Sequence, residues 1–136
     1  MKIMLDTNTL ISAAVFGGKL LEIVSNINTK NEIVLCSAIV DEFFIVVNEK
    51  FPKRRSVAEK FIRELNYTLF QTPPKIKDGA FPSIRDKKDY PILASAIIAD
   101  VDILITGDLD FENIPIKKPE ILKPREYAEK YMNIIK

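Results

Sequence analysis

The sequence predicts an α/β fold in which helices cover both faces of a parallel sheet. Short, almost wholly apolar segments alternate with helical ones, a pattern typical of strands buried on both faces. With 136 residues, 47% of them apolar, the chain has the length and core composition of one domain spanning residues 1–136. Because ligands of such folds bind beyond the carboxyl ends of the strands, residues that directly follow strands are the first candidates for function.

Apolar runs bounded by cap and turn residues define the elements of the first half. Gly17-Gly18 interrupts one helical stretch, and Pro52 ends another. In chain order, the predictions are a strand at Lys2–Asp6, cap residues at Thr7–Thr9 followed by a helix that begins with Leu10, a helix over about Lys19–Ile27, a strand at Glu32–Cys36, a helix capped by Ser37, and a helix over Ser56–Tyr67.

The second half repeats the pattern after a proline-rich loop over residues 73–82. Its first helix is rich in Ala and Ile, and its last one has an amphipathic stripe. The predictions here are a short strand at Thr68–Gln71, a helix at Pro91–Ala99, a strand at Val101–Thr106, a turn over Gly107–Asn113, a strand near Pro119–Leu122, and a helix over Arg125–Ile134.

The composition excludes several classes of chemistry. The chain has no histidine, which rules out Ser-His-Asp and Cys-His catalysis and any imidazole-ligated zinc. Catalysis must therefore use carboxylates, hydroxyls, Lys, Tyr or a hard metal ion. The single cysteine, Cys36, fits a reducing cytoplasm, and no apolar run reaches the roughly 18 residues of a membrane span. We therefore expect a cytoplasmic protein that is not membrane-bound.

Acidic residues stand at the positions where the fold predicts a ligand. Asp6 ends the first strand and Asp108 follows the fourth, although a helix cap or a turn would also explain each of them. We expect Asn8 to be the rival cap, which would leave Asp6 facing the cleft. Asp89 precedes a helix and is either its cap or a third acid of the cleft. Asp41 and Glu42 point about 100° apart on a helix, and Glu42 abuts bulky core residues, which favours it slightly.

Four stretches of the chain together resemble the PIN domain family, and within it the VapC-like toxin components of bacterial and archaeal toxin–antitoxin pairs. Each stretch is degenerate alone, but the four follow the order and spacing of the family across most of the chain. They are residues 3–8 (IMLDTN), 37–42 (SAIVDE), 85–96 (RDKKDYPILASA) and 102–108 (DILITGD).

The resemblance implies a fold and a set of site residues. The family fold is a three-layer α/β/α sandwich around a mainly parallel sheet of about five strands. The resemblance assigns catalytic and metal-ligating roles to the four acids Asp6, Glu42, Asp89 and Asp108. It implies supporting roles, some through water, for Asn8, Ser37, Asp86, Thr106 and Asp110. Pro91 departs from a typical helix start but is tolerated in a first turn.

The family resemblance also implies metal-dependent cleavage of RNA. Carboxylates that converge without a cation repel one another, and all-oxygen ligands select Mg²⁺ or Mn²⁺. Such an ion lowers the pKa of water, which provides a nucleophile without histidine. Although the net charge is only +1, Arg85, Lys87 and Lys88 are the best candidates for contacts with RNA phosphates. Single-stranded RNA is the favoured substrate because its bases can be splayed across a surface.

The resemblance implies protein partners as well. Family members usually form homodimers, and an antitoxin holds the toxins inactive. The apolar helices between Lys19 and Tyr67 offer a surface for such contacts, although core packing explains most of their apolar residues. The alternatives are a housekeeping RNA-processing nuclease and an inactive module that binds RNA or protein. A phosphoryl-transfer domain of the haloacid-dehalogenase or receiver type fits less well, because Asn8 stands where the former needs a second Asp.

Overall fold

The computed structural model describes residues 1–74 and 89–132. Within these ranges, five strands alternate with six helices, and 3-10 turns occur at Pro52–Arg54 and Leu109–Phe111. In chain order the elements are β1 (Lys2–Leu5), α1 (Thr7–Phe16), α2 (Gly18–Lys30), β2 (Glu32–Cys36), α3 (Ser37–Lys50), α4 (Arg55–Glu64), β3 (Tyr67–Phe70), α5 (Tyr90–Ile98), β4 (Ile103–Ile105), β5 (Glu120–Leu122) and α6 (Pro124–Tyr131).

All five strands run parallel, in the order β3-β2-β1-β4-β5. Consecutive residues of β1, Ile3, Met4 and Leu5, are all fully buried, although their side chains alternate between the two faces of the sheet. Helices therefore cover both faces, as is usual for parallel sheets. This architecture confirms the predicted α/β/α sandwich around a parallel sheet of five strands.

The path of the chain through the sheet creates a crevice at one edge. From the central strand β1 the chain continues to β2 and β3 on one side, and later to β4 and β5 on the other. The carboxyl ends of β1 and β4, which are paired neighbours, therefore flank the point where the strand order reverses. Ligands of open α/β sheets bind at such points. Asp6 directly follows β1, and Thr106 directly follows β4.

Some of the predicted boundaries differ from the observed ones. The predicted helix over Ser56–Tyr67 ends at Glu64, because Tyr67 pairs with Ile33 and begins β3. The predicted strand over Val101–Thr106 is limited to Ile103–Ile105, since Asp100 has a positive φ of 58° and ends the preceding turn. The last helix begins at Pro124 and ends at Tyr131. Most of the loop predicted over residues 73–82 lies outside the described residues.

The prediction that Ser37 caps α3 is wrong. The chain passes from β2 into α3 without an intervening residue, so Cys36 occupies the N-cap position and Ser37 is already helical. The Ser37 hydroxyl instead accepts hydrogen bonds from the Thr72 backbone N–H (2.9 Å) and from Gln71 Nε2 (3.2 Å). The Thr72 hydroxyl accepts from the Ala38 N–H at 3.0 Å. Ser37 thus joins the start of α3 to the segment that follows β3.

The described helices are too short or too polar to cross a membrane singly. Only α1 and α2 taken together have the length and composition of a span, and they are bent by 116° where they meet.

Candidate metal centre

Asp6 lies at the centre of the crevice and is buried, with 5% of its surface exposed. It occupies the N-cap position of α1, where its Oδ1 accepts a hydrogen bond from the Thr9 N–H at 2.9 Å. Of the two candidate caps, the structure therefore selects Asp6, because Asp6 precedes the first helical residue, and Asn8 lies exposed in the first turn. Capping engages one lone pair of Oδ1, and the carboxylate retains further acceptor sites.

Thr106 connects the ends of β1 and β4. Its buried hydroxyl donates to Asp6 Oδ2 at 2.5 Å and accepts from the Asp108 backbone N–H at 3.0 Å. A threonine hydroxyl has only one proton, so the bond to the Asp108 N–H leaves that proton directed at Asp6. Thr106 therefore fixes the orientation of the Asp6 carboxylate and couples it to the turn that carries Asp108.

Three further acids form a group beside this pair. One carboxylate oxygen from each of Asp89, Asp108 and Asp110 lies within 4.8 Å of the other two, and all three residues are half-buried. Asp108 is the N-cap of the 3-10 turn, and its Oδ1 accepts from the Asp110 N–H at 2.9 Å. That turn places the Asp110 carboxylate in the same group as the Asp108 carboxylate.

Asp89 joins the group from the amino end of α5. It occupies the N-cap position, but its side chain makes no capping hydrogen bond. A purely structural cap would accept from the second or third helical N–H, so capping does not explain this aspartate. Pro91 lies in the first turn of α5, where proline is tolerated, and it leaves the helix regular.

The electrostatics of the crevice oppose an additional negative charge. Burial raises the pKa of the Asp6 carboxyl above its ordinary value, and the charge of Asp108 adds to this effect. Hydrogen bonds from Thr106 and Thr9 act in the opposite direction by stabilising the carboxylate. A bound cation would remove both the desolvation cost and the repulsion.

The donor set fits a hard divalent cation. Its side-chain donors are carboxylate oxygens, which Mg²⁺, Mn²⁺ and Ca²⁺ prefer. Ligand atoms on opposite sides of such an ion lie about 4 Å apart for Mg²⁺ and about 5 Å apart for Ca²⁺. The oxygens of Asp89, Asp108 and Asp110 all lie within 4.8 Å of one another, which is close enough for them to share one ion.

The remaining predicted site residues do not all belong to this acidic group, and some lie outside the described residues. Glu42 lies exposed on α3 and is not among the three clustered carboxylates. Asp110, which sequence reasoning ranked below the four main acids, has a carboxylate oxygen within 4.8 Å of oxygens of Asp89 and Asp108. The Asp-x-Asp spacing in the turn after a strand is the sequence feature that indicates Asp110. Four predicted residues lie outside the described residues: Arg85, Asp86, Lys87 and Lys88.

Comparison with known proteins identifies the family. The model of the PIN domain family matches residues 2–110. Among solved structures, the chain is similar to a chain in the crystal structure of VapBC2 from Rickettsia felis bound to a DNA fragment from their promoter. That similarity has a TM-score of 0.66 at 17% sequence identity and covers 90% of this chain and 98% of that chain. No curated protein sequence matches. Since the family match includes all of the acids at the crevice and most of the sequence, the chain belongs to the PIN domain family.

Proposed function

We propose that this protein is a divalent-metal-dependent endoribonuclease that hydrolyses phosphodiester bonds of RNA. The convergence of Asp89, Asp108 and Asp110 beside the buried Asp6 is the observation that carries the proposal. Membership of a family whose members are generally nucleases supports it. Converging carboxylates repel one another unless a cation is bound, and a bound cation would activate water without the histidine that this chain lacks.

The position of each residue in the fold determines its proposed role. Asp6 and Asp108 would hold an ion from the ends of two adjacent strands, and Asp89 would complete the group from the amino end of α5. Thr106 orients Asp6, and Asp110 supports the group through its turn. Bound Mg²⁺ or Mn²⁺ would lower the pKa of a water and neutralise charge at the phosphorus. The carboxylates are then positioned to orient that water for in-line attack.

Glu42 keeps its proposed role as a further ligand. The helix α3 begins directly after β2, which is the parallel neighbour of β1, so its first turns rise from the same edge of the sheet as Asp6. With a rise of about 1.5 Å per residue, Glu42 lies less than two turns from that edge. This proximity supports the assignment, with Asn8 placed nearby in the first turn of α1.

RNA cleavage can be tested with labelled single-stranded RNA and with DNA of the same sequence. We expect cleavage of the RNA in Mg²⁺ or Mn²⁺, none in EDTA, and much slower cleavage of the DNA. Intact RNA in both metals would contradict the proposal. Preferential cleavage of the DNA would support metal-dependent phosphodiester cleavage but contradict the proposal that RNA is the substrate.

We further propose that the protein is the toxin of a type II toxin–antitoxin pair, acts as a homodimer, and is held inactive by a cognate antitoxin. The fold similarity to a chain of the VapBC2 structure supports this proposal. Induced expression should arrest bacterial growth, the Asp6→Asn variant should not, and co-expression of a small protein encoded next to this gene should restore growth. Normal growth under the active protein would favour a housekeeping nuclease instead.

A further inference from the structure

We infer that a cleft along β5 binds the nucleotide next to the scissile phosphate, and that Lys123 contacts the phosphate of that nucleotide. The inference rests on the proposed ribonuclease function. It adds a substrate subsite next to the candidate metal centre.

The cleft, called here the β5 cleft, opens directly from the candidate metal centre. It has a volume of about 460 Å³, and its lining includes Thr106 and Asp108 of the candidate metal centre. That volume lies within the roughly 300–1,000 Å³ typical of small-molecule sites. The remaining lining comes from the segment after the 3-10 turn and from the junction of β5 with α6: Phe111, Glu112, Asn113, Ile114, Ile116, Lys117, Pro119, Glu120, Ile121, Lys123 and Glu126.

The lining suits a nucleotide better than a wholly polar ligand. Half-buried Ile114, Ile116 and Ile121 supply apolar surface that a splayed base can contact. Lys117 and Lys123 supply positive charge for a phosphate. The cleft thus combines the two kinds of contact that single-stranded RNA makes with proteins, next to the acids proposed to cut it.

Lys123 is placed by the sheet itself. It directly follows β5, and the Thr106 N–H donates to the carbonyl of the preceding Leu122 at 2.9 Å. Lys123 therefore lies at the same edge of the sheet as Asp6, Thr106 and Asp108. Among the described residues, it is the one basic side chain that directly follows a strand.

The acids of the β5 cleft other than Asp108 are already engaged. Glu112 Oε1 lies 3.3 Å from Lys123 Nζ, and Glu120 pairs with Lys130. Glu126 Oε1 accepts from the Lys123 backbone N–H at 2.8 Å. The Lys123–Glu112 pair is half-exposed, and such pairs contribute little to stability. An incoming phosphate can therefore compete with Glu112 for the ammonium group.

Binding and cleavage of a short single-stranded RNA test this inference, with Lys118→Ala as the matched control for Lys123→Ala. Both lysines are about half-exposed (48% and 50%) and paired with acids, but Lys118 pairs with Asp100 and Asp102 and does not line the β5 cleft. Fluorescence anisotropy in Ca²⁺ over a range of salt concentrations measures binding, and cleavage in Mn²⁺ gives kcat and KM.

We expect Lys123→Ala to bind RNA about two- to fivefold more weakly and to lower the slope of log K against log salt by about 0.7. KM should rise while kcat is largely retained. Lys118→Ala should match the wild type, and Glu112→Gln should bind more tightly because the competing carboxylate is neutral. Thermal unfolding of each variant controls for folding.

The outcomes separate this inference from the proposed function. If the wild type cleaves RNA and Lys123→Ala behaves like Lys118→Ala, the subsite is overturned and the ribonuclease stands. If binding depends on Lys123 but no metal supports cleavage, the contact of Lys123 with RNA stands and the proposed activity fails. If the wild type does not bind RNA, both are overturned.

Discussion

At the scale of single residues, Thr106 connects the two strand ends that form the crevice. Its one hydroxyl proton is directed at Asp6 while its oxygen accepts from the Asp108 N–H, so a single side chain sets the relative position of two strand ends. Residues that orient metal ligands in this way typically contribute 10- to 100-fold to metal affinity or activity, as a rough guide. The hydroxyl, not the bulk of the side chain, is the functional part.

Replacing Thr106 with valine tests that role, because valine keeps the shape and removes the hydroxyl. We expect RNA cleavage to fall about 10- to 100-fold, while Thr106→Ser, which keeps the hydroxyl, retains most of the activity. Initial rates in saturating and limiting Mn²⁺ would separate a loss of metal affinity from a loss of rate. Equal activity of the valine and serine variants would show that the hydrogen bond to Asp6 has no part in the reaction.

Glu42 and its neighbour Asp41 form a natural pair of variants. Both are exposed on α3, carry the same charge and point about 100° apart, so only one of them can face the centre. We expect Glu42→Gln to weaken Mn²⁺ binding measured by isothermal titration calorimetry, and Asp41→Asn to leave it unchanged. The same affinity in both variants would remove Glu42 from the ligand set.

Sequence reasoning could locate these acids only in part. Asp6 and Asp108 could be predicted from position alone because each follows an apolar strand. The capping role of Asp6 could not be predicted from the sequence, because Asn8 has an equally suitable side chain. Only the observed start of α1 decides between the two residues. The proximity of Asp110 depends on the 3-10 turn after Asp108, a local conformation that a turn-like sequence does not specify.

At the scale of elements, the pairing of strands decided the boundaries. The stripe of Val57, Phe61 and Leu65 predicts the helix α4 but does not specify its end, which is set where Tyr67 pairs with β2. The apolar runs of β1, β2 and β4 made these strands predictable, because strands buried on both faces have few polar positions. The half-exposed β3 and the partly buried β5 have weaker patterns.

Asp102 links the starts of β1 and β4, and its substitution tests the sheet end opposite to the metal centre. The Lys2 N–H donates to its Oδ2 at 2.7 Å, and this bond, aided by Lys118, lowers the pKa of the Asp102 carboxyl below its ordinary value of 3.8. The carboxylate therefore stabilises the fold above the unfolded-state pKa, and this stabilisation is lost as the pH falls through the lower, folded-state pKa.

We expect Asp102→Asn to lower the free energy of unfolding near neutral pH by up to about 1 kcal/mol, because the carboxylate is partly exposed. The difference from the wild type should shrink as the pH falls below the ordinary pKa of 3.8, and it should vanish in acid that protonates the folded wild-type side chain as well. Urea unfolding over a series of pH values from neutral to acid measures both quantities. A difference that persisted unchanged in acid would mean that the charge of Asp102 is not its source.

At the scale of the whole molecule, local charge matters more than the total. The net charge is only +1, yet the acids converge at one edge of the sheet and basic side chains flank them in the sequence at Arg85, Lys87 and Lys88. A nearly neutral protein can bind a polyanion in this way only through a few local contacts. Salt dependence of binding should therefore reflect a small number of phosphates.

The double variant Lys87→Ala, Lys88→Ala tests the predicted contribution of these lysines, which lie outside the described residues. We expect weaker binding of single-stranded RNA and a salt slope smaller by about 1.4, which corresponds to two lost phosphate contacts. Replacing two lysines distant in sequence, Lys50 and Lys60, provides a control of equal charge. An unchanged slope in the double variant would remove both lysines from the RNA path.

The most direct test of the account is cleavage of labelled RNA in Mn²⁺ by the wild type and by Asp6→Asn. Asparagine keeps an oxygen that can accept from the Thr9 N–H, so the variant should fold, which circular dichroism can verify. We predict that the wild type cuts the RNA, that EDTA abolishes cleavage, and that the substitution lowers the rate by more than about 100-fold. A folded Asp6→Asn protein that cleaves RNA as fast as the wild type would contradict the account.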